Sequence, residues 1–529
     1  MRRTRLRWLA IALACAAQAG ACARGSSEPS LRPVSVPDLS AIEPSVRDQF
    51  HARHSALVAQ IARRGAPAAD LGTAYGELGK LLMAASYFDP AEAAYLNAQA
   101  LAPADARWPY YLGHLYKAKG ALEKSAASFD RALQLRPDDA ATLIWLGEAY
   151  LAQGRPDAAR PLFGRAVALE PRSAAAHFGA GRVSLANGEH ADAVTHLETA
   201  LALDPRATST HYQLGMAYRG RGDLANAEAQ LAQKGNIEPR PDDPLMRALD
   251  ELLESAEAYN VRGGRELEAR NWPAAAEDFR KGLALRPSDP SLRHRLGTAL
   301  YESGDAAGAV EQFREIIRTS PDFARAHFSL GVVMEAGGRH QEAIESFSNA
   351  VARDPGYLQA RLQLARVLAR NGAAEKGLAE YRQVLERDPA MKEAAFGYAM
   401  TLVRLRRYRD ARDSLVSAIN TYPGDPRFSY ALARVLAAAP DAAVRDGARA
   451  KALADRLLTT EHSIDVGATA AMALAELGDY LQAAAVQRDV IAVAERGGLH
   501  DVVQHLIVNL NLYERRQPCR TPFTDEELP

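Results

Sequence analysis

The sequence has 529 residues, 64 basic and 65 acidic side chains for a net charge of −1, 48% apolar residues and three cysteines. A chain of that length exceeds what one compact core supports. The even charge balance excludes a general polyanion binder, and Cys15, Cys22 and Cys519 are too few for a disulfide framework.

Residues 1–23 read as a signal peptide. MRRTRLR carries four arginines, Trp8–Ala17 is an apolar run of ten, and AQAGACA supplies small residues for cleavage. The run is too short to span a bilayer as mature structure. The expectation is export. Ala19-Gly20-Ala21-Cys22 resembles a bacterial lipoprotein signal, with Ala19 where that family prefers leucine. The resemblance implies acylation of Cys22 and a periplasmic protein anchored to a membrane. Simple cleavage after Ala19 or Ala23 is the other reading. Residues 24–44 are rich in Ser and Pro, lack an apolar period and read as a flexible tether. Val46, Phe50, Leu57 and Ile61 then share a helical face and read as an N-terminal cap.

From Leu78-Gly79 onward the chain repeats itself every 34 residues: Leu112-Gly113, Leu146-Gly147, Ala180-Gly181 and Leu214-Gly215, then Gly263, Gly297, Gly331, Ala365, Ala399 and Ala433. Twelve residues after an anchor stands a small residue, such as Ser125, Ala159 or Ala309, and four further on a large one, such as Phe129, Phe163 or Phe313. A proline follows eight later, from Pro103 to Pro423. Leu143, Leu146, Gly147 and Tyr150 fall on one face of a first helix, which Gly154 stops. Ala159, Phe163 and Ala166 form the inner face of a second helix, which Pro171 ends. One such hairpin cannot bury its apolar face alone, so hairpins must stack.

The L-G-x2-Y, A-x3-F and P spacing over residues 72 to 425 resembles the tetratricopeptide repeat. That resemblance implies an all-α fold, a right-handed superhelical α-solenoid of about twelve helix-turn-helix repeats. The whole chain also resembles bacterial exported proteins of this type, a group of undefined activity. Repeats 1–5 with the N-terminal cap occupy 45–240, and repeats 6–12 occupy 256–498. Between them Gly215 and Gly263 are 48 residues apart, so residues 241–255 are an insertion, read as helical with Asp243 as N-cap and Pro244 in the first turn. It is either a hinge or a rigid spacer. The repeats decay after Ala433, with an insert near Pro440, and Val503, Leu506, Ile507 and Leu510 mark a capping helix over 499–516. Residues 517–529 read as a polar tail in which Cys519 is incidental.

Chemistry-bearing motifs are missing: the sequence contains no GxxxxGK[ST], HExxH, CxxC pair or GxSxG. His177, His211 and His327 stand four before the repeat glycine, a packing slot, and His51 and His54 have no third ligand nearby. No enzyme, cofactor or metal site is expected. In the family's superhelix, first helices line the concave face, and the residues three before and one after the anchor point into it. Tyr110, Phe178, Tyr212, Phe328, Phe396 and Tyr430 then make an aromatic stripe flanked by Arg182, Arg366 and Arg434. Such a groove suits an amphipathic helix or extended peptide carrying some acid. The Lys and Asn clamp with which some relatives hold a chaperone's terminal carboxylates is missing, apart from Asn260. The Arg404–Arg412 run falls at a helix–helix turn and reads as a solvated turn. The functional expectation is a membrane-anchored scaffold that binds a protein or peptide in its groove, without nucleic acid. The alternative is a structural subunit of an envelope secretion, pilus or polysaccharide-export machine.

Overall fold

The computed structural model describes residues 30–40, 42–63, 65–459, 463–524 and 527–528. The signal segment and Cys22 lie outside them. The described residues form 27 α-helices and no strand. They divide into two compact units, Met1–Ala258 and Tyr259–Pro529.

The first unit opens with α1 (Pro44–Ala62). Five hairpins follow: α2/α3 (Ala68–Ala84, Phe88–Leu101), α4/α5 (Arg107–Ala118, Leu122–Leu135), α6/α7 (Ala140–Ala152, Pro156–Leu169), α8/α9 (Ala174–Ala186, His190–Leu203) and α10/α11 (Ser209–Gly220, Leu224–Leu231). A short helix α12 (Pro244–Asp250) comes next, and α13 (Ala256–Glu268) crosses into the second unit. There α13 pairs with α14 (Trp272–Leu285). Further hairpins are α15/α16 (Pro290–Glu302, Ala306–Thr319), α17/α18 (Ala324–Ala336, His340–Arg353), α19/α20 (Leu358–Arg370, Ala374–Arg387) and α21/α22 (Lys392–Arg404, Tyr408–Thr421). The unit ends with α23/α24 (Pro426–Ala438, Gly447–Leu458), α25/α26 (Ile464–Glu476, Tyr480–Arg496) and α27 (His500–Glu514). Within each unit the hairpins stack on one another as solenoid repeats, five in the first and seven in the second among the described residues.

The repeated residues are the hairpin's contacts. A methyl group on Gly113 would lie 2.6 Å from Phe129, and one on Gly147 would lie 2.7 Å from Phe163. Gly297 and Gly331 stand in the same relation to Phe313 and Phe347, each at 2.6 Å. The anchor glycine thus exists to admit the large residue of its own second helix. Ala159, Phe163 and Ala166 have no exposed surface. Gly154 closes α6 at φ +71°, the left-handed C′ conformation that satisfies the last carbonyls. Seven residues after other anchors, Ser86, Arg270 and Arg406 hold that conformation without being glycine, at φ 64°, 58° and 57°. Asp139, Ser173, Asp289 and Asp425 cap first helices by accepting from backbone N–H groups.

Three features differ from the sequence reading. In the expected tether, Arg32 donates its N–H to Asn97 Oδ1 (2.8 Å) and accepts from Asn97 Nδ2 (2.9 Å), and Leu39 is buried. A buried amide needs partners for its donor and acceptor, and the extended backbone at Arg32 supplies both. In α1, Val46, Phe50 and Leu57 are buried, whereas Ile61, in the last turn, is exposed. Cys519 is not incidental: it is 5% exposed, in one apolar cluster with Tyr513, Phe523 and Leu528.

Candidate partner-binding surface

The residue three before each anchor sits on the first helix, and its contacts come largely from neighbouring packing. The ring of Tyr110 meets Phe129 at 5.8 Å between centroids, Phe328 meets Phe347 at 5.7 Å and Tyr357 at 5.0 Å, and Phe396 meets Phe428 at 5.7 Å. Tyr110 and Phe178 are buried, Phe328, Phe396 and Tyr430 are half-buried, and Tyr212 is 46% exposed. The stripe is therefore mostly packing, with Tyr212 its open member. The flanking arginines are engaged as well: Arg182 pairs with Glu148 at 2.6 Å and lies over the Phe178 ring, and Arg366 pairs with Glu335 at 2.9 Å. Packing slots four before the anchors behave as expected. His211 Nδ1 donates to Gln230 Oε1 at 2.7 Å and His327 Nε2 donates to the Pro321 carbonyl at 2.9 Å.

In the first unit the first-helix side is covered by the chain's own insertion. α11 is only eight residues long, so the chain leaves the hairpin early and runs back. Pro239 and Pro241 are buried. The Asp243 carboxylate, which caps α12, also accepts from Tyr110 Oη and, at 2.9 Å, from Trp145 Nε1. Tyr111 Oη donates to the Leu245 carbonyl at 3.3 Å, and Gln49 Nε2 donates to that of Leu252 at 3.0 Å. Leu249, 4% exposed, enters the core with Leu245, Met246, Leu252 and Leu253 packed around it. The insertion thus covers α6, α4 and α1 in turn. The insertion carries the helix expected of it, opened by Asp243 and Pro244, and packs its apolar residues on the first unit.

Beside Asp243, His114 is packed edge-on against Tyr110, Phe129 and Trp145 at 4.8, 5.0 and 4.9 Å. Its Nε2 makes no hydrogen bond and lies 3.9 Å from the Asp243 carboxylate. Burial, reinforced by the charge of Lys117, pushes its pKa down to about 3. With no shared proton the contact is that of a neutral ring with a carboxylate, not an ion pair. Burial and then Asp243 push the Tyr110 hydroxyl far above the usual tyrosine range.

In the second unit residues 517–524 and 527–528 play the covering role. Arg520 pairs with Glu476 of α25 at 2.6 Å. Arg434 of α23 donates through Nε to the Pro522 carbonyl (2.6 Å), pairs with Glu527 (2.8 Å) and stands over the Phe523 ring at 4.5 Å. Phe523 also meets Tyr430 edge-on at 6.2 Å, and Arg404 of α21 donates to the Leu528 carbonyl at 3.0 Å. The segment therefore crosses α25, α23 and α21 in succession. Arg434 is 5% exposed. Burial works against its charge, but Tyr430 and Glu527 outweigh that and raise its pKa. Burial pushes the Cys519 thiol up.

Three family models of the tetratricopeptide (TPR) repeat match the chain: one at 146–207, 181–244, 294–358 and 344–392, a second at 113–154 and a third at 369–435. Together they reach more than half of it. The chain belongs to the tetratricopeptide repeat family. TPR repeats mediate protein–protein interaction and bind protein or peptide partners. Solved structures similar to this TPR chain include yeast Tom70, 14% identical over 84% of this chain and 96% of that one, TM-score 0.31. The P58(IPK) TPR domain is 16% identical over 78% and 99%, TM-score 0.26. Residues 41 to the end of MamA from Desulfovibrio magneticus RS-1 are 19% identical over 31% and 92%, TM-score 0.30. No curated protein matches significantly.

Among the described residues no group of three His, Cys, Asp or Glu side chains is placed to hold a metal ion, and no helix is long and apolar enough to cross a membrane. Trp145, Phe523 and Glu527 escaped the sequence reading, which has Asp243 only as a helix cap and Arg404 only in a solvated turn. One signal for them exists. A TPR first helix with an open side keeps polar residues there, yet Trp108–Tyr116 of α4, Phe428 with Ala431–Ala438 of α23, and Val466–Ala475 of α25 are buried. Helices apolar all round are covered on every side.

Proposed function

We propose that this TPR protein is an exported scaffold, anchored to a membrane through acylated Cys22, that binds envelope proteins on its first-helix side. It works by equilibrium binding spread over several repeats, without turnover; the TPR fold is typically a non-catalytic scaffold. The observation that carries the reading is that extended polypeptide already lies on that side in each unit, held by Tyr110 and Trp145 in one and by Arg434 in the other. A surface that accepts backbone carbonyls, an aromatic ring and carboxylates from its own chain has the chemistry to accept them from another. Tyr212, exposed, lies outside the contacts of both covering segments.

A photo-crosslinking residue at Tyr212, and separately at His294, tests the reading in intact cells. Adducts of discrete mass with another envelope protein are expected at one or both positions. Adducts confined to the chain itself would overturn it. Labelled palmitate tests the anchor: incorporation in the wild type and its loss in Cys22→Ala are expected, and equal labelling or none would leave a secreted scaffold instead.

A further inference from the structure

The covering segment of the second unit is held as a peptide ligand is held. Residues 515–524 contain no helix, and the contacts that fix the segment come from a few side chains of three different first helices. At its centre is Arg434, a buried guanidinium that donates to Tyr430 Oη at 2.6 Å and lies between the Tyr430 and Phe523 rings. A buried cation left without a partner is strongly unfavourable. Whatever fills this place must therefore bring a carboxylate and a carbonyl, and Glu527 and Pro522 do. It must also bring a flat ring for the guanidinium face and an apolar residue beside α21, which Phe523 and Leu528 provide. Other charges facing the place are Glu476, already paired with Arg445 at 2.8 Å and with Arg520, and Arg404.

We propose that α21, α23 and α25 form a receptor site for an extended segment of a partner protein carrying Pro-Phe, a glutamate four residues after the phenylalanine and then a leucine, and that residues 517–528 are the cis occupant that this partner displaces. This rests on the scaffold reading above and names the class of its partner. Competition is built in. A tethered occupant acts at an effective concentration in the millimolar range, so the free site is hidden in the resting chain. A partner segment gains access by carrying the same pattern with further contacts elsewhere along the repeats.

Cys519 makes a direct test possible in the full-length wild-type chain. The thiol is buried, and a buried thiol reacts slowly. A synthetic peptide of residues 516–528, with serine at the cysteine position, is added in excess. Alkylation is read at Cys519 by mass spectrometry. At least a tenfold faster alkylation is expected with this peptide, and no acceleration with versions carrying Phe523→Ala or Glu527→Gln. A second measurement uses the fluorescein-labelled peptide and anisotropy. The chain variant Phe523→Ser/Glu527→Gln, whose receptor residues are intact, is expected to bind the peptide at least tenfold more tightly than the wild type. Absence of acceleration in the wild type would overturn the proposal, as would equal effects of the native and altered peptides. A dimer formed by exchange of residues 517–528 with no capture of free peptide would assign the site to a second copy and overturn it too. Such failures would leave cross-links from Tyr212 untouched, so they are distinct from failure of the scaffold reading.

Discussion

Trp145 and Asp243 stand 98 residues apart in the chain, and the indole Nε1 of the first donates to the carboxylate of the second at 2.9 Å. The same carboxylate accepts from Tyr110 Oη and caps α12 through the Met246 N–H at 3.0 Å. One aspartate therefore fastens the insertion to two first helices. Asp243→Ala removes the cap, a loss of about 1 kcal/mol. It also leaves a buried indole N–H and phenol without an acceptor, a further cost of about 1–3 kcal/mol. The expected outcome is a first unit less stable by roughly 2–4 kcal/mol in urea, with tryptophan emission shifted to the red as the insertion lifts from Trp145.

His114 makes the first unit sensitive to mild acid. Its folded pKa is pushed down to about 3 from 6.5, so in the range between those values the unfolded chain binds the proton and the folded chain does not. Stability is whole above pH 6.5 and falls as the pH drops towards 3. Between pH 7 and pH 5 the loss from this residue is about 2 kcal/mol. Urea titrations at the two pH values are expected to show that much less acid sensitivity in His114→Leu than in the wild type. His196, His294 and His327, also lowered by burial, titrate equally in both proteins.

Two glycines of one hairpin have opposite requirements. A methyl group on Gly147 would meet Phe163 at 2.7 Å, while one on Gly164 meets nothing within 4 Å. Gly147→Ala is expected to destabilise by about 1–3 kcal/mol through overpacking. Gly164→Ala, in the middle of α7, is expected to stabilise by about 0.5–1 kcal/mol through helix propensity. Paired thermal and urea unfolding of the two variants reads both signs.

Ser86, Arg270 and Arg406 occupy the left-handed turn position that Gly120, Gly154 and Gly304 fill in other hairpins. A side chain there costs about 1–2 kcal/mol, partly offset by glycine's greater freedom in the unfolded chain. Arg270→Gly and Arg406→Gly are each expected to raise stability by about 0.5–1 kcal/mol, measured by the urea midpoint. Unchanged or lower midpoints would show that the turns carry no such strain.

The hairpins were legible because each repeated letter answers to one short-range contact. Gly147 has to be small for Phe163, Gly154 has to be left-handed, and Pro171 has to stop α7. These demands recur at a fixed spacing, so a single chain displays them ten times over. The covering segments have no such regularity. Asp243 meets Tyr110 and Trp145, and Glu527 meets Arg434, once each and far along the chain, so no local pattern announces them. The aromatic slot of Tyr110 and Tyr430 is visible in the sequence, but the segment lying against it is not. The Arg404–Arg412 run lies at a solvent-exposed turn as read, with surface pairs of Arg407 with Asp410 at 2.7 Å and Arg409 with Asp441 at 2.8 Å.

The early end of α11 has a consequence for how the chain breaks. From Ala232 to Glu238 seven successive residues are exposed; the first three are tied back to α11, and Gly235 and Ile237 to Thr208 and Ser209 at the start of α10. Lys234 sits in the middle of them. A protease with a preference for lysine finds an exposed, non-helical bond there, and one cut sorts the hairpins five to one fragment and seven to the other.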